Sequence, residues 1–268
     1  MSQEPPKFNL PLAYTEAGEG MPVVLIHGFC ESRELWRDFV GPLSQHFRII
    51  ALDLPGFGAN APLNTPVTIG DLAEAVYHFL ITIGVEHPVM IGHSLGGYVA
   101  LAFAEKFPQR LRGLGLFHST AQNDSFEKKQ ARNKTIEFIE RYGLEEFVDQ
   151  FFTPLFFDGR RKDLKDEIKF LTDIGKATSK ETVVEVIKAM RDRKDRSRVL
   201  EKLTCPVLMI AGKNDTAIPF TNSMLQFGLP YESMIQVLSN TGHMGMLERP
   251  KETLLMVKNF LEYVNSFD

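Results

Sequence analysis

The chain has 268 residues, 44% of them hydrophobic and 24% charged, and a net charge of −4. Those proportions suit one large α/β domain with an insertion, and a chain without a long basic stripe is no nucleic-acid binder. Cys30 and Cys205 lie too far apart for a disulfide framework or a zinc site.

In chain order, residues 8–16 alternate loosely and predict one or two edge strands. Residues 21–28 are a continuous apolar run, as expected of a strand buried on both faces. Leu35, Trp36, Phe39, Val40 and Leu43 give residues 31–45 helical spacing. A strand over 48–52 closes on Asp53, with Pro55, Gly56 and Gly58 behind it. Thr68, with Asp71 three residues on, opens a helix that Gly84 ends. An apolar run to Gly92 leads through Ser94 into a helix reaching about residue 107, and 114–117 make a further strand. From 119 to 198 no buried strand is legible. Helical stretches occupy about 124–142, 144–151, 161–174 and 179–193, around the Phe-rich segment 151–157. Strands return at 205–212 and 234–238, and a last amphipathic helix covers 250–265. Strands alternating with helices imply a parallel sheet. Residues 1–118 and 199–268 are thus expected to form one core, with 119–198 inserted as a helical cap.

The most informative stretch is Gly92-His93-Ser94-Leu95-Gly96-Gly97. A strand feeding Gly-x-Ser-x-Gly and then a helix predicts a tight turn that projects the Ser94 hydroxyl from the sheet end. A serine needs a base, and the base needs an orienting carboxylate. Of the seven histidines, His46, His78 and His87 fall on or beside helices, His93 is turned away by the elbow, and His27 precedes the loop needed for an oxyanion. His118 and His243 remain. His243 is preferred because it follows Gly242 in the loop after the last strand. Asp215 follows the 207–211 strand and lies between Ser94 and His243 in the chain, as the orienting acid should. The Leu95 amide and a Phe29 amide beside it are the expected oxyanion donors. Cys30, Phe151, Phe152, Phe156 and Met244 are assigned to the substrate pocket, and no metal or cofactor is expected.

These motifs, with His27-Gly28-Phe29, the Asp53–Gly58 turn and Glu248-Arg249-Pro250, resemble the α/β-hydrolase fold superfamily over nearly the whole chain. The resemblance implies a mostly parallel eight-stranded sheet with a helical cap inserted after the sixth strand. The branch looks like the small esterases grouped with pimeloyl-acyl-carrier-protein methyl ester esterase. The segment His27-Gly28-Phe29-Cys30-Glu31-Ser32 is similar to a loop of epoxide hydrolases, but Ser94 stands where those enzymes carry an aspartate, which argues against epoxide and haloalkane chemistry.

The expected function is hydrolysis of a small-molecule carboxylic ester or thioester through an acyl-enzyme. A carbon–carbon bond hydrolase with the same triad and a non-catalytic ligand receptor are the alternatives. With neither a signal core nor a run of about 20 apolar residues, the expectation is a cytoplasmic monomer or dimer that does not engage membranes. Residues 121–198 hold 18 of the chain's 30 Lys and Arg against 16 of its 34 Asp and Glu. Their cluster Arg191, Arg193, Lys194, Arg196 and Arg198 offers a landing surface for an acidic acyl carrier, with a solvated helix end as the plainer alternative.

Overall fold

The computed structural model describes Phe8 and residues 11–267. Its centre is a sheet whose inner strands β2 (Pro22–Ile26), β3 (Arg48–Leu52), β4 (Val89–His93), β5 (Gly113–Phe117) and β6 (Val207–Gly212) are buried almost throughout. Strands covered by helices on both faces must be apolar on both faces, and these are. The edge strands β1 (Tyr14–Ala17) and β7 (Ser233–Leu238) keep exposed positions. The strand order is β1-β3-β2-β4-β5-β6-β7, with β1 antiparallel to β3 and every other pair parallel.

Seven strands are present among the described residues, not eight, and the inserted segment follows the fifth of them, not the sixth. Residues 8–16 yield only β1; Asn9 and Leu10 lie outside the described residues. The backbone of Ala13, just before β1, is already engaged: its N–H donates to Asn60 Oδ1 and its carbonyl accepts from Asp53.

The helix expected over 31–45 is split into a 3-10 turn, Arg33–Trp36, and α1 (Arg37–Leu43). In α2 (Ile69–Thr82) the Thr68 hydroxyl accepts from Asp71 N while the Asp71 carboxylate accepts from Thr68 N, a complete capping box. Gly84, at φ +65°, turns the chain out of that helix. Then come α3 (Leu95–Lys106) after β4 and a wholly helical run between β5 and β6: α4 (Phe126–Tyr142), α5 (Leu144–Phe151), α6 (Lys165–Lys176), α7 (Lys180–Arg191) and α8 (Ser197–Lys202). Short helices α9 (Phe220–Met224) and α10 (Gly245–Glu248) lead to α11 (Pro250–Asn265). Among the described residues no helix is long and apolar enough to cross a membrane.

Because the inner strands are parallel, the loops after β2, β4, β5, β6 and β7 gather at one end of the sheet. The order reverses at β2, which has β3 on one side and β4 on the other. A crevice outside the carboxyl ends of the strands opens at such a point.

Candidate active site

Ser94, between β4 and α3, has φ 50° and ψ −110°, a left-handed backbone that a side chain adopts only under constraint. The constraint is visible in its neighbours. A Cβ on Gly92 would stand 2.2 Å from the Gly96 carbonyl carbon, and one on Gly96 would stand 2.4 Å from the Ile26 carbonyl oxygen. Both glycines are therefore steric requirements of the turn. Ser94 N–H donates to the Phe117 carbonyl at 3.0 Å, tying the elbow to β5.

Asp215 follows β6 and is a saturated acceptor. Its Oδ1 receives the Ala217 and Ile218 amides, each at 2.8 Å, and its Oδ2 receives His243 Nδ1–H at 2.8 Å and His118 Nδ1–H at 3.2 Å. Burial alone would raise its carboxyl, but His243 and His118 outweigh that and hold it well below the usual carboxylate range. With Nδ1–H committed to Asp215, His243 presents Nε2 as a proton acceptor. His118 makes the same bond but is pushed down to about 4 by burial and stays neutral. One atom each from His118, Asp215 and His243 lies within 4.8 Å of the others, a spacing that could take a metal ion, yet both imidazoles already direct Nδ1–H at the carboxylate.

Two buried acids reinforce this end of the sheet, and neither is assigned a role from sequence. Glu31 accepts the Gly28 amide at 2.6 Å and lies 3.0 Å from His93 Nδ1, while His93 Nε2 lies 3.1 Å from the His243 carbonyl. Both partners of that ring are acceptors, so His93 carries both protons and faces Glu31 as an imidazolium. Burial would lower His93, but Glu31 holds it above its ordinary value; burial would raise Glu31, but His93 holds it below. The pair joins the loop after β2, the serine elbow and the His243 loop. Glu248, also buried, accepts from the amides of Gly242 at 2.8 Å, Met244 at 3.3 Å and Phe157 at 2.9 Å. His27 is structural: Nδ1–H donates to the Gly28 carbonyl and Nε2 accepts from Leu54 N–H.

Ser94 and His243 line one cavity of about 250 Å³, without a hydrogen bond between their side chains; such bonds commonly tighten only around substrate. Phe29 forms part of its wall, and neither the Phe29 nor the Leu95 amide donates to a protein acceptor among the described residues. Of the predicted pocket side chains only Phe151 lines this cavity, joined by Phe147 and Leu155. Phe147 and Phe151 share one face of α5, whereas Val148 and Phe152 share the next and pack on Gly175 of α6. Cys30, whose backbone is left-handed (φ 58°), is fully buried, and burial pushes its thiol well above its ordinary range. Phe156 and Met244 are likewise buried beneath the loops that carry them. All four are corrections to the sequence-based assignment.

The basic cluster is corrected too. Arg193 and Arg196 are each only 6% exposed. Arg193 Nη1 donates to Asp124 Oδ1 at 2.6 Å, with its guanidinium 4.1 Å from the Tyr98 ring centroid, and Arg196 Nε donates to Glu105 at 3.0 Å. Arg191 pairs with Asp192. Only Lys194 and Arg198 of the expected landing surface remain exposed without an acidic partner among the described residues.

A sequence profile described as alpha/beta hydrolase fold matches residues 21–250, and the chain belongs to that family. It is similar to a thermophilic esterase from Thermogutta terrifontis, solved with malate bound, at 29% identity and a TM-score of 0.89, covering 94% of this chain and 93% of that one. A putative 2-succinyl-6-hydroxy-2,4-cyclohexadiene-1-carboxylate synthase of Bacillus subtilis is 30% identical over 267 residues, covering 92% of this chain and 94% of that protein. A 2-hydroxy-6-oxo-6-(2'-aminophenyl)hexa-2,4-dienoic acid hydrolase of Metapseudomonas resinovorans is 25% identical over 255 residues, covering 92% and 86%. The chain spans 66% of the length of a dihydrolipoyllysine-residue acetyltransferase component of the acetoin cleaving system of Cupriavidus necator, at 25% identity and 92% coverage of this chain.

Proposed function

We propose that this chain is a serine hydrolase that cleaves a carboxylic ester or thioester of a small to medium acyl group through an acyl-enzyme. The observation that carries the reading is the shared cavity wall: Ser94 on its strained elbow and His243, with Nδ1–H fixed on Asp215, face the same space. Ser94 Oγ attacks the carbonyl carbon as His243 Nε2 takes its proton. The Phe29 and Leu95 amides receive the oxyanion, and His243 returns the proton to the leaving alcohol or thiol. Water, deprotonated by the same nitrogen, then releases the acid. A cavity of about 250 Å³ sits below the ~300–1,000 Å³ range of drug-sized ligand pockets, which favours a short acyl chain. Residues 119–198 act as the cap over that chain.

A series of p-nitrophenyl esters of rising chain length tests the reading, combined with a fluorophosphonate probe mapped by mass spectrometry. Hydrolysis of the short esters and a single adduct on Ser94 are expected; no turnover and no adduct would leave a ligand receptor. The resemblance to the dienoic acid hydrolase favours carbon–carbon bond cleavage as the second reading, recognisable by turnover of a dienoic acid faster than of any ester. In the same assay Phe151→Ala should move the optimum to longer acyl chains. Each methylene newly buried changes kcat/KM by roughly fourfold, the equivalent of about 0.8 kcal/mol. An equal loss at every chain length would mean instead that α5 had collapsed.

A further inference from the structure

On α4, Lys128, Arg132 and Thr135 stand at i, i+4 and i+7, which is one face of a helix, and all three line the cavity that holds Ser94 and His243. The stripe faces an otherwise largely apolar wall that includes Phe147, Phe151, Ile187 and Met190. Charge is not balanced there. Asp124 receives Arg132 Nε on one carboxylate oxygen and Arg193 Nη1 on the other, so a single acid meets two guanidinium groups. Lys128 Nζ donates to the Ala217 carbonyl at 2.8 Å and has no carboxylate within 4 Å among the described residues. The one acid on the cavity wall beside these cations, Glu31, is already matched by His93 and the Gly28 amide. Three cations, Lys128, Arg132 and Arg193, against Asp124 and the ionised Asp215 therefore leave one positive charge in surplus beside the cavity. The Arg132 side chain is only 17% exposed, so water screens that surplus poorly.

We propose that the α4 wall is an anion subsite and that the natural substrate carries a free carboxylate in addition to the bond Ser94 cleaves. Lys128 provides the point charge that receives the carboxylate, Arg132 the planar donor beside it, and the apolar wall holds the carbon chain between the two ends. The inference deepens the proposed hydrolysis and rests on it for its kinetic readout.

The test uses matched substrate pairs. Mono-p-nitrophenyl glutarate against p-nitrophenyl pentanoate places the carboxylate on the acyl side; 4-carboxyphenyl pentanoate against phenyl pentanoate places it on the alcohol side. In one of the pairs kcat/KM for the acidic ester should exceed that for the neutral ester at least tenfold. Lys128→Gln should lower that ratio tenfold or more, mainly through KM, and Lys128→Arg should restore most of it. Arg132 is left intact because its bond to buried Asp124 makes its loss a folding risk. A wild-type ratio near one in both pairs overturns the subsite, as does a ratio unchanged in Lys128→Gln. If no ester is cleaved, the hydrolase reading has failed, and calorimetric titration of glutarate decides the subsite alone. Binding weakened tenfold in Lys128→Gln supports it; no binding to the wild type overturns it.

Discussion

Ser94→Ala should leave about 10⁻⁴ or less of the wild-type kcat on a p-nitrophenyl ester, with the fold intact. Alanine fits the elbow wherever serine does, because the crowding there falls on Gly92 and Gly96. The melting temperature should therefore hold while the fluorophosphonate adduct disappears. Asp215→Asn should cost a similar factor for a different reason. Its amide can replace Oδ1 as acceptor for the Ala217 and Ile218 N–H groups, but that places an NH2 against the Nδ1–H of both His243 and His118. His243 relieves the clash by moving its proton to Nε2, which removes the lone pair that Ser94 needs. The double variant should be scarcely slower than either single one. Asp215→Asn with near-wild-type turnover would remove the carboxylate from the mechanism. The wild-type carboxylate is held well below its ordinary range, so it contributes stability above that range and loses it only as pH falls through the lowered value.

Glu31→Gln should lower unfolding stability by about 3–5 kcal/mol, the usual result of leaving one member of a buried ion pair alone. The loss should depend on pH in a way a simple packing defect would not. Glu31 is depressed in the folded state, so its contribution is present above the unfolded carboxylate value of about 4.3 and fades as pH falls. His93 is raised, so its contribution is complete below the unfolded imidazole value of about 6.5 and fades as pH climbs through the folded one. The stability gap between wild type and variant should thus be widest between about pH 4.3 and 6.5 and narrow on both sides. Denaturant titrations across pH 4 to 9 measure it, and a constant gap would contradict the ion pair. Activity should fall with stability, because His93 also holds the His243 carbonyl.

Features of the chain that depend on neighbours in sequence were legible before folding. The serine elbow is written in five consecutive residues, and the crowding at Gly92 comes from Gly96 within them, although the crowding at Gly96 comes from the Ile26 carbonyl of β2. Thr68 and Asp71 mark a helix start for the same local reason. Features set by distant partners were not. Phe151 and Phe152 are adjacent and identical, and Phe152 goes to the core where it meets Gly175, 23 residues further on. Arg193 reads as a surface cation until Asp124 and the Tyr98 ring meet it. The glycine-bearing loop after the last strand favours His243 over His118; that both direct Nδ1–H to Asp215 was not legible, and of the two only His243 lines the cavity. The α4 stripe at 128, 132 and 135 had a readable spacing, but a charged helix face ordinarily points to water.

The peptide groups on either side of His243 are both fastened. Its N–H donates to the Leu155 carbonyl at 2.6 Å, its own carbonyl accepts from His93, and Nδ1–H is held by Asp215. What remains to the residue is small rotation of the ring about its side-chain torsions. In the proposed hydrolysis, ordering that ring is accomplished once, during folding, so each cycle would begin with the acceptor nitrogen already aimed and little translational or rotational freedom left to surrender. In that reading, differences in substrate shape fall to the helical wall, and the path of the proton stays with His243 and Asp215.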